Sequence, residues 1–320
     1  MDQFNVYKDM KARTNGEIYI GVVGPVRTGK STFIKRFMNL MVLPNIEDEN
    51  DRNRANDELP QSSSGKTIMT TEPKFVPNEA VSIKTEEGIE LNVRLIDCVG
   101  YMVEGATGHM EGEEERLVKT PWFDYEIPFT KAAAIGTKKV ITEHSTIGVV
   151  VTCDGSFGEI AAKQYEPAEE ETIKQLKALK KPFVVLLNTI HPYSESTKQL
   201  AAEKEEKYQT KVLPMNLEQM KKEDIYEIIK SVLMEFPISS IGFYVPRWTE
   251  MLKKDHPLKM ELLQMARDVI TEKTTMRDIY EEQEKEYEYI TGQKLESVAM
   301  DSGEAVSYTH LRAHETAANL

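Results

Sequence analysis

The chain has 320 residues, 40% of them hydrophobic, and its 53 acidic and 40 basic side chains give a net charge of −13. This length suits about two domains with a sizeable core, which excludes the collagenous, disulfide-stapled and wholly disordered classes. The acidic balance, with no basic patch in the sequence, disfavours a nucleic-acid partner. Two cysteines, no signal peptide and no apolar run of about 18 residues indicate a cytoplasmic protein with at most peripheral membrane contact.

The first predicted elements are a buried strand and an amphipathic helix joined by a loop. The strand EIYIGVVG ends at Gly24, and the helix TFIKRFMNLMVL repeats apolar residues at helical spacing. Residues 44–73 are polar, charged and Ser-rich, which is typical of disorder or of a long solvated loop. Two extended runs follow at 80–85 and 89–96, and the short link between them permits only an antiparallel hairpin.

Later in the chain, apolar strands alternate with helices as far as Pro237. Continuous apolar strands in such an alternation predict a mainly parallel sheet covered by helices on both faces. Beyond this first domain, 1–237, residues 238–305 predict a mainly helical segment, interpreted as the start of a truncated middle domain. The last residues, 306–320, fit no preceding pattern, look like out-of-frame or adapter translation, and are left out of the predicted fold.

Residues 24–31, GPVRTGKS, match the phosphate-loop pattern G-x-x-x-x-G-K-[ST] between a predicted strand and a predicted helix. Glycines permit positive φ, so that successive N–H groups can face phosphate oxygens at a helix N-terminus. Lys30 is expected to reach the β and γ phosphates, and the Ser31 hydroxyl to ligate Mg²⁺. Arg27 is either a cation near the phosphates or a surface cation beside the site. The predicted nucleotide-binding residues of this segment are Gly24, Arg27, Thr28, Gly29, Lys30, Ser31 and Thr32.

A second group on the metal side is expected at the end of the strand NVRLIDCVG. Asp97 can hold Mg²⁺ through water, and the amide of Gly100 can approach the γ-phosphate because no side chain intervenes. A phosphate loop with an antiparallel neighbouring strand predicts an α/β P-loop NTPase of the translation-factor-like GTPase type. In that class a threonine before the hairpin senses Mg²⁺ and the γ-phosphate, and Thr70 and Thr71 are both candidates. The predicted metal side is therefore Ser31, Asp97 and one of these threonines.

Base recognition departs from the GTPase pattern. The segment that follows the corresponding strand is NTIH, starting at Asn188, where GTPases have N-K-x-D. Neither the stacking lysine nor the guanine-reading carboxylate is present, which removes the main discrimination against ATP. Tyr101 also stands where many such GTPases have a water-orienting glutamine. We therefore expect Mg²⁺ with ATP as the substrate, and a different way of positioning the attacking water.

Seven stretches carry a resemblance to a known family, and three of them are KTPWFDYEIPF, EHSTIGVVVTCDGSFGEIA and VLMEFPI. The other four are GVVGPVRTGKSTFIKRFM, LPNIEDENDRNRANDELPQSSSGKTIMTTEPKFVPNEAV, RLIDCVGYMVEGA and KPFVVLLNTIHPY. With these, residues 1 to about 300 resemble the N-terminal part of the stage IV sporulation protein A family of spore-coat ATPases. By position, Lys30 matches the family's P-loop lysine, Asp97 its Mg²⁺-side aspartate, and Thr70 and Thr71 its sensor threonines.

The resemblance implies an ATPase whose hydrolysis drives irreversible self-assembly. It implies a place in the basement layer of the spore coat, on the mother-cell side of the outer forespore membrane. The implied partners are further copies, a small amphipathic membrane-bound sporulation peptide and other coat proteins, the last two through a C-terminal region expected beyond this chain. Two alternatives stay open: a GTPase molecular switch, and a structural coat protein that retains nucleotide without hydrolysing it.

Overall fold

A computed structural model of the chain forms two compact units, one of residues Thr14–Val232 and one of Met1–Arg13 with Leu233–Leu320. Among the described residues no helix is long and apolar enough to cross a membrane. The ranges that the structure describes are 6–60, 72–84, 90–106, 108–111, 114–158, 160–280 and 286–311.

The strands are β1 (Glu17–Val23), β2 (Lys74–Lys84), β3 (Glu90–Asp97), β4 (Met110–Glu111), β5 (Glu114–Glu115), β6 (Leu117–Thr120), β7 (Phe123–Pro128), β8 (Ile147–Cys153), β9 (Phe183–Asn188), β10 (Val212–Met215), β11 (Ser240–Tyr244), β12 (Ile290–Ala299) and β13 (Glu304–Leu311). The α-helices are α1 (Val6–Arg13), α2 (Lys30–Phe37), α3 (Glu49–Asp57), α4 (Phe129–Lys139), α5 (Ala162–Ala178), α6 (Glu195–Tyr208), α7 (Lys222–Met234) and α8 (Pro257–Glu272).

The larger unit is built on a sheet with strand order β10-β9-β8-β1-β3-β2. Its neighbouring strands run parallel except at the edge, where β2 is antiparallel to β3. The predicted α/β P-loop fold with one antiparallel strand is confirmed. Because parallel strands end at the same edge of a sheet, the register places Asp97 beside Val22, and Asn188 between Cys153 and Met215. This edge carries the predicted site.

Helices cover both faces of this sheet, as the continuous apolar strands predict. On one face α2 packs against β1 and β3 through its buried side chains, which include Phe33 and Phe37. On the other face α5 and α6 pack against strand residues such as Ile96 in one buried apolar cluster. Since side chains alternate along a strand, Leu95 and Asp97 lie on the α2 face.

The prediction of disorder or a long loop at 44–73 is wrong for residues 49–57, which form α3. Asp48 caps this helix, since its Oδ1 accepts hydrogen bonds from the N–H groups of Asn50 at 2.8 Å and Asp51 at 2.9 Å. A side-chain acceptor at this position satisfies N–H groups that a helix start leaves open. Thr70 and Thr71 lie outside the described residues.

The smaller unit contains a sheet with strand order β11-β13-β12, against which α8 packs. The prediction of a mainly helical segment after residue 237 is therefore wrong, because β12 and β13 pair as an antiparallel hairpin that turns at Gly303, with φ +74°. The exclusion of the tail is wrong for 306–311, which belong to β13, the central strand. The foreign origin of residues 306–320 and the domain boundary at 237 stay predictions.

Candidate nucleotide-binding site

The phosphate loop leads from the end of β1 directly into α2, as the motif predicts. Gly24 has φ +127°, and a Cβ added there would collide with the carbonyl oxygen of Val151 on β8. Only glycine combines this φ with such a close approach of backbone. Arg27 adopts φ +60° within the loop, which is rare for a residue with a side chain, and that side chain is exposed. Thr28 turns inward, since its hydroxyl donates to Pro25 O at 3.0 Å.

Lys30, the first residue of α2, is buried beneath the loop. Its Nζ donates to the carbonyl oxygen of Gly24 at 3.4 Å and to that of Pro25. Burial lowers the pKa of this ammonium, against the opposing effect of Cys98 and Asp97. Burying a cation is costly, and a phosphate group would supply negative charge beside the two carbonyl oxygens that this ammonium contacts.

Ser31 and Asp97 meet at the same edge of the sheet. The Ser31 hydroxyl donates to Asp97 Oδ2 at 3.1 Å, while Asp97 Oδ1 is buried without a hydrogen-bond partner among the described residues. Burial raises the pKa of Asp97, against the Lys30 charge and the Ser31 hydrogen bond. An orphaned carboxylate oxygen beside a hydroxyl is an oxygen donor set of the kind that Mg²⁺ takes up with phosphate and water. These residues therefore fit the predicted metal.

The Gly100 loop lies directly on the phosphate loop, where the N–H of Val26 donates to the carbonyl oxygen of Tyr101 at 3.0 Å. Gly100 has φ +94°, and a Cβ there would collide with Gly24 O and lie 2.7 Å from the Nζ of Lys30. The γ-phosphate end of the site is thus shaped by a position that has room only for hydrogen.

Tyr101, the residue after Gly100, is held by apolar contacts. Its side chain packs with the buried apolar cluster that contains Val26, Ile160 and Tyr165. Burial raises its pKa to about 12, against the opposing hydrogen bond from Gln175 on α5. In this conformation the residue after Gly100 anchors the loop to α5, so it cannot orient an attacking water as the glutamine of GTPases does.

Asn188, predicted to bind the nucleotide, connects two loops of the protein. Its Nδ2 donates to Thr28 O at 3.0 Å, and its Oδ1 accepts from the N–H of Leu217 at 3.3 Å. The side chain is buried. The structure therefore gives Asn188 a positioning role, because both of its polar side-chain atoms are taken up by backbone groups.

The sequence reasoning missed the loop after β10, which lies against the phosphate loop and Asn188. The Leu217 side chain is fully buried, and its Cδ1 lies 3.3 Å from where a Cβ on Gly29 would stand. On the neighbouring loop, Thr189 Oγ1 accepts from the N–H of His191 at 3.1 Å. A signal was available in Asn216, since an asparagine directly after an apolar strand is typical of a turn at this edge of an α/β sheet.

The structure thus brings Gly24, Lys30, Ser31, Asp97, Gly100 and Asn188 together at one edge of the sheet. Thr32 follows Ser31 in the first turn of α2, where its backbone N–H faces the N-terminal end of the helix. The predicted threonines of the metal side, Thr70 and Thr71, are not among the described residues.

Models of one protein family match nearly the whole chain. The stage IV sporulation protein A ATPase domain matches residues 1–237, and the middle domain of the same protein matches residues 238–315. Among solved structures, the complex of SsGBP with GDP aligns with 68% of this chain and 49% of that chain, at 13% identity and a TM-score of 0.38. A score this low adds nothing to the fold described above.

Curated relatives named stage IV sporulation protein A are similar over most of the chain. The Clostridioides difficile (strain 630) protein is 54% identical over 275 residues, and those of Bacillus anthracis and Bacillus subtilis (strain 168) are 47% and 46% identical over 307 residues. The alignments cover 86%, 95% and 95% of this chain, but 56%, 62% and 62% of the relatives. The chain therefore spans about three fifths of the length of these relatives.

Proposed function

The chain belongs to the stage IV sporulation protein A family, and on that premise we propose that it binds ATP with Mg²⁺ and hydrolyses it to ADP and phosphate. The observation that supports this most is the meeting of Lys30, Ser31 and Asp97 under the phosphate loop. The oxygen of Asp97 that has no hydrogen-bond partner among the described residues, beside Ser31, supplies a place for the Mg²⁺ that accompanies ATP.

The chemistry is an in-line displacement at the γ-phosphorus. A water oxygen forms a new bond to phosphorus, the bond to the β–γ bridging oxygen breaks, and the water proton ends on the released phosphate. Lys30 would neutralise charge on the β and γ oxygens, and the Gly100 N–H would bind a γ oxygen. Ser31, Asp97 and one of Thr70 or Thr71 would hold Mg²⁺, which when bound offsets the charge that develops on the phosphates.

We propose ATP as the substrate because the base end offers no carboxylate to the two N–H groups of guanine. The positions that read guanine in GTPases are here Thr189 and His191, and Thr189 is fully buried. Without a carboxylate that accepts hydrogen bonds from guanine, the site loses a large preference for GTP over ATP, and contacts from neutral side chains distinguish the two bases only weakly.

We also propose that hydrolysis drives self-assembly, in keeping with the family resemblance. The segments that bracket the γ-phosphate, 44–72 and 98–128, are long and polar. The first contains α3 and the second contains β4 to β7, and short elements of this kind suit segments that rearrange when phosphate contacts are lost. A place in the coat basement layer, on the mother-cell side of the outer forespore membrane, belongs to the same proposal. So do the amphipathic membrane-bound peptide and the other coat proteins as partners.

Single-turnover hydrolysis of ATP by the 320-residue chain tests the activity. Asp97→Ala should leave nucleotide binding largely intact and impair hydrolysis, and the double variant Thr70→Ala with Thr71→Ala should do the same. Asp51→Ala, on the exposed surface of α3, is the matched control for the loss of a carboxylate. Binding without turnover in the parent would favour the structural coat protein instead.

Sedimentation with each nucleotide tests the link to assembly. Full-length protein should form polymer with ATP and Mg²⁺ but not with a non-hydrolysable analogue, and the present chain should assemble poorly. Equal polymer with the analogue would mean that binding alone triggers assembly. A preference for GTP of about 100-fold or more, near 3 kcal/mol, would favour the GTPase switch.

A further inference from the structure

The residue after Gly100, where many GTPases have a water-orienting glutamine, is Tyr101 in this chain. Tyr101 packs towards α5, and Arg27 also lies on that side, where its charge opposes the rise that burial causes in the pKa of Tyr165. We propose that Lys74, at the start of β2, supplies a second cation to the hydrolytic site, acting with Lys30 on the γ-phosphate. This rests on the proposed ATP hydrolysis.

The register of the sheet places Lys74 beside the metal-side carboxylate. Lys74 lies directly opposite Asp97 in the antiparallel pairing of β2 with β3. Side chains of such a pair stand on the same face of the sheet, with Cβ atoms about 5 Å apart. Lys74 therefore shares a face with Asp97 and is within reach of the same ligand.

That face is the one covered by α2, from which Lys30 and Ser31 project. Two residues after Lys74, Val76 pairs with Leu95, and both side chains are fully buried. The intervening residue, Phe75, packs against the cluster on the opposite face. The alternation thus directs Lys74 to the phosphate side of the sheet.

The charge of Lys74 acts on Asp97 and yet stays accessible. It helps to oppose the rise that burial causes in the Asp97 pKa, although its effect is smaller than that of Lys30. The Lys74 side chain is exposed. An ammonium on a flexible four-carbon stem can leave a carboxylate that a metal neutralises and turn to a phosphate oxygen nearby.

A different role would be that of a counter-ion for Asp97 alone. In that case Lys74 competes with Mg²⁺ for the carboxylate, and its removal should lower the Mg²⁺ concentration needed for half-maximal nucleotide binding without slowing hydrolysis. If Lys74 acts on the γ-phosphate, its removal should weaken the complex with ADP and aluminium fluoride, which resembles the transferring phosphoryl group, and spare the complex with ADP.

The test compares Lys74→Met and Lys74→Arg with Lys84→Met, which removes a lysine at the far end of the same strand. Single-turnover hydrolysis and the affinities for ADP and for ADP with aluminium fluoride are measured on each 320-residue chain. Lys74→Met should lose about tenfold in the hydrolysis rate and about tenfold in the affinity for ADP with aluminium fluoride, while its affinity for ADP alone stays unchanged. Lys74→Arg should recover most of the rate and most of the aluminium fluoride affinity, and Lys84→Met should match the parent.

Equal rates and equal aluminium fluoride affinities in Lys74→Met and the parent would overturn the proposal. An equal loss of affinity for ADP and for its aluminium fluoride complex would also overturn it, because a general distortion of the site would then explain the effect. A parent that binds but does not hydrolyse ATP contradicts the proposed function itself, and is recognised before any variant is compared.

Discussion

The phosphate end and the base end of the site are built in opposite ways. At the phosphate end, charged and hydroxyl groups converge on one point: Lys30 under the loop, and Ser31 within 3.1 Å of Asp97. At the base end the side chain of Asn188 binds the protein itself, through its hydrogen bonds to Thr28 and Leu217. Affinity should therefore reside in the phosphate contacts, with little discrimination between bases.

Removing the buried cation should have the largest effect. Lys30→Ala deletes the ammonium that neutralises the β and γ oxygens, and we expect ATP affinity to fall at least about 100-fold, near 3 kcal/mol. Isothermal titration with ATP and Mg²⁺ measures it. Lys35→Ala removes an exposed lysine from the same helix and should bind as the parent does. Retained affinity in Lys30→Ala would place the binding energy elsewhere.

Adding one methyl group at the γ-phosphate end should be nearly as damaging to turnover. In Gly100→Ala the new Cβ collides with Gly24 O and crowds Lys30, so we expect hydrolysis to fall about tenfold or more. Gly105→Ala is the matched control, because it has a similar φ of +84° but its nearest neighbour, Gln164 Nε2, is 3.7 Å away. A similar loss in both variants would mean that φ strain, rather than the close approach, is responsible.

Breaking the connection between the two ends should affect stability and binding together. Asn188→Ala leaves Thr28 O and the Leu217 N–H without their partner, which we expect to cost about 1–3 kcal/mol in the free energy of unfolding. Urea unfolding with and without ATP separates the loss of stability from the loss of affinity. Asn216→Ala, whose side chain caps only the exposed turn that follows it, should cost less. If Asn188 instead binds the base, affinity should change without stability.

Changing the base end alone should have the smallest effect. We expect the parent to bind ATP and GTP within about tenfold of each other, or to favour ATP. His191→Asp places a carboxylate at the guanine-reading position and should shift the ratio towards GTP by a few-fold, as competition binding would show. Ser196→Asp adds the same charge on the exposed first turn of α6 and should not shift it. A large shift of the ATP-to-GTP affinity ratio in His191→Asp would show that the other groups needed to recognise guanine are already in place.

The phosphate end could be predicted because its chemistry is local in the sequence. The loop from Gly24 to Ser31 is continuous, and Asp97 follows a recognisable strand. The connection through Asn188 could not be predicted, because it joins residues 160 positions apart in sequence and depends on the order of the strands. Tyr101 likewise occupies a catalytic position in the sequence, but tertiary packing turns it towards α5.

The errors after residue 237 have a related cause. The helical spacing of α8 is strong and correct, but the sequences of β12, ITGQKLESVA, and β13, EAVSYTHL, do not alternate polar and apolar residues regularly, so they give no clear period-two signal. The hairpin that they form is stabilised by contacts between residues on the two strands, and these contacts cannot be recognised when each segment of the sequence is considered separately. In the same way α3 starts at Asp48 because of one capping carboxylate in an otherwise polar stretch.

The two hydrogen bonds of Asn188 explain how NTIH can keep the first residue of N-K-x-D and lose the other two. In GTPases the lysine and the carboxylate at the later positions contact the guanine base, so a protein that does not select guanine does not need them. The asparagine binds the backbone of the phosphate loop and of the loop after β10, so it is needed whichever base the nucleotide carries. In the segment NTIH, the first position therefore supports the phosphate loop, and the later positions correspond to those that contact the base in GTPases. Base specificity can then change through the later positions while the phosphate loop keeps its structure.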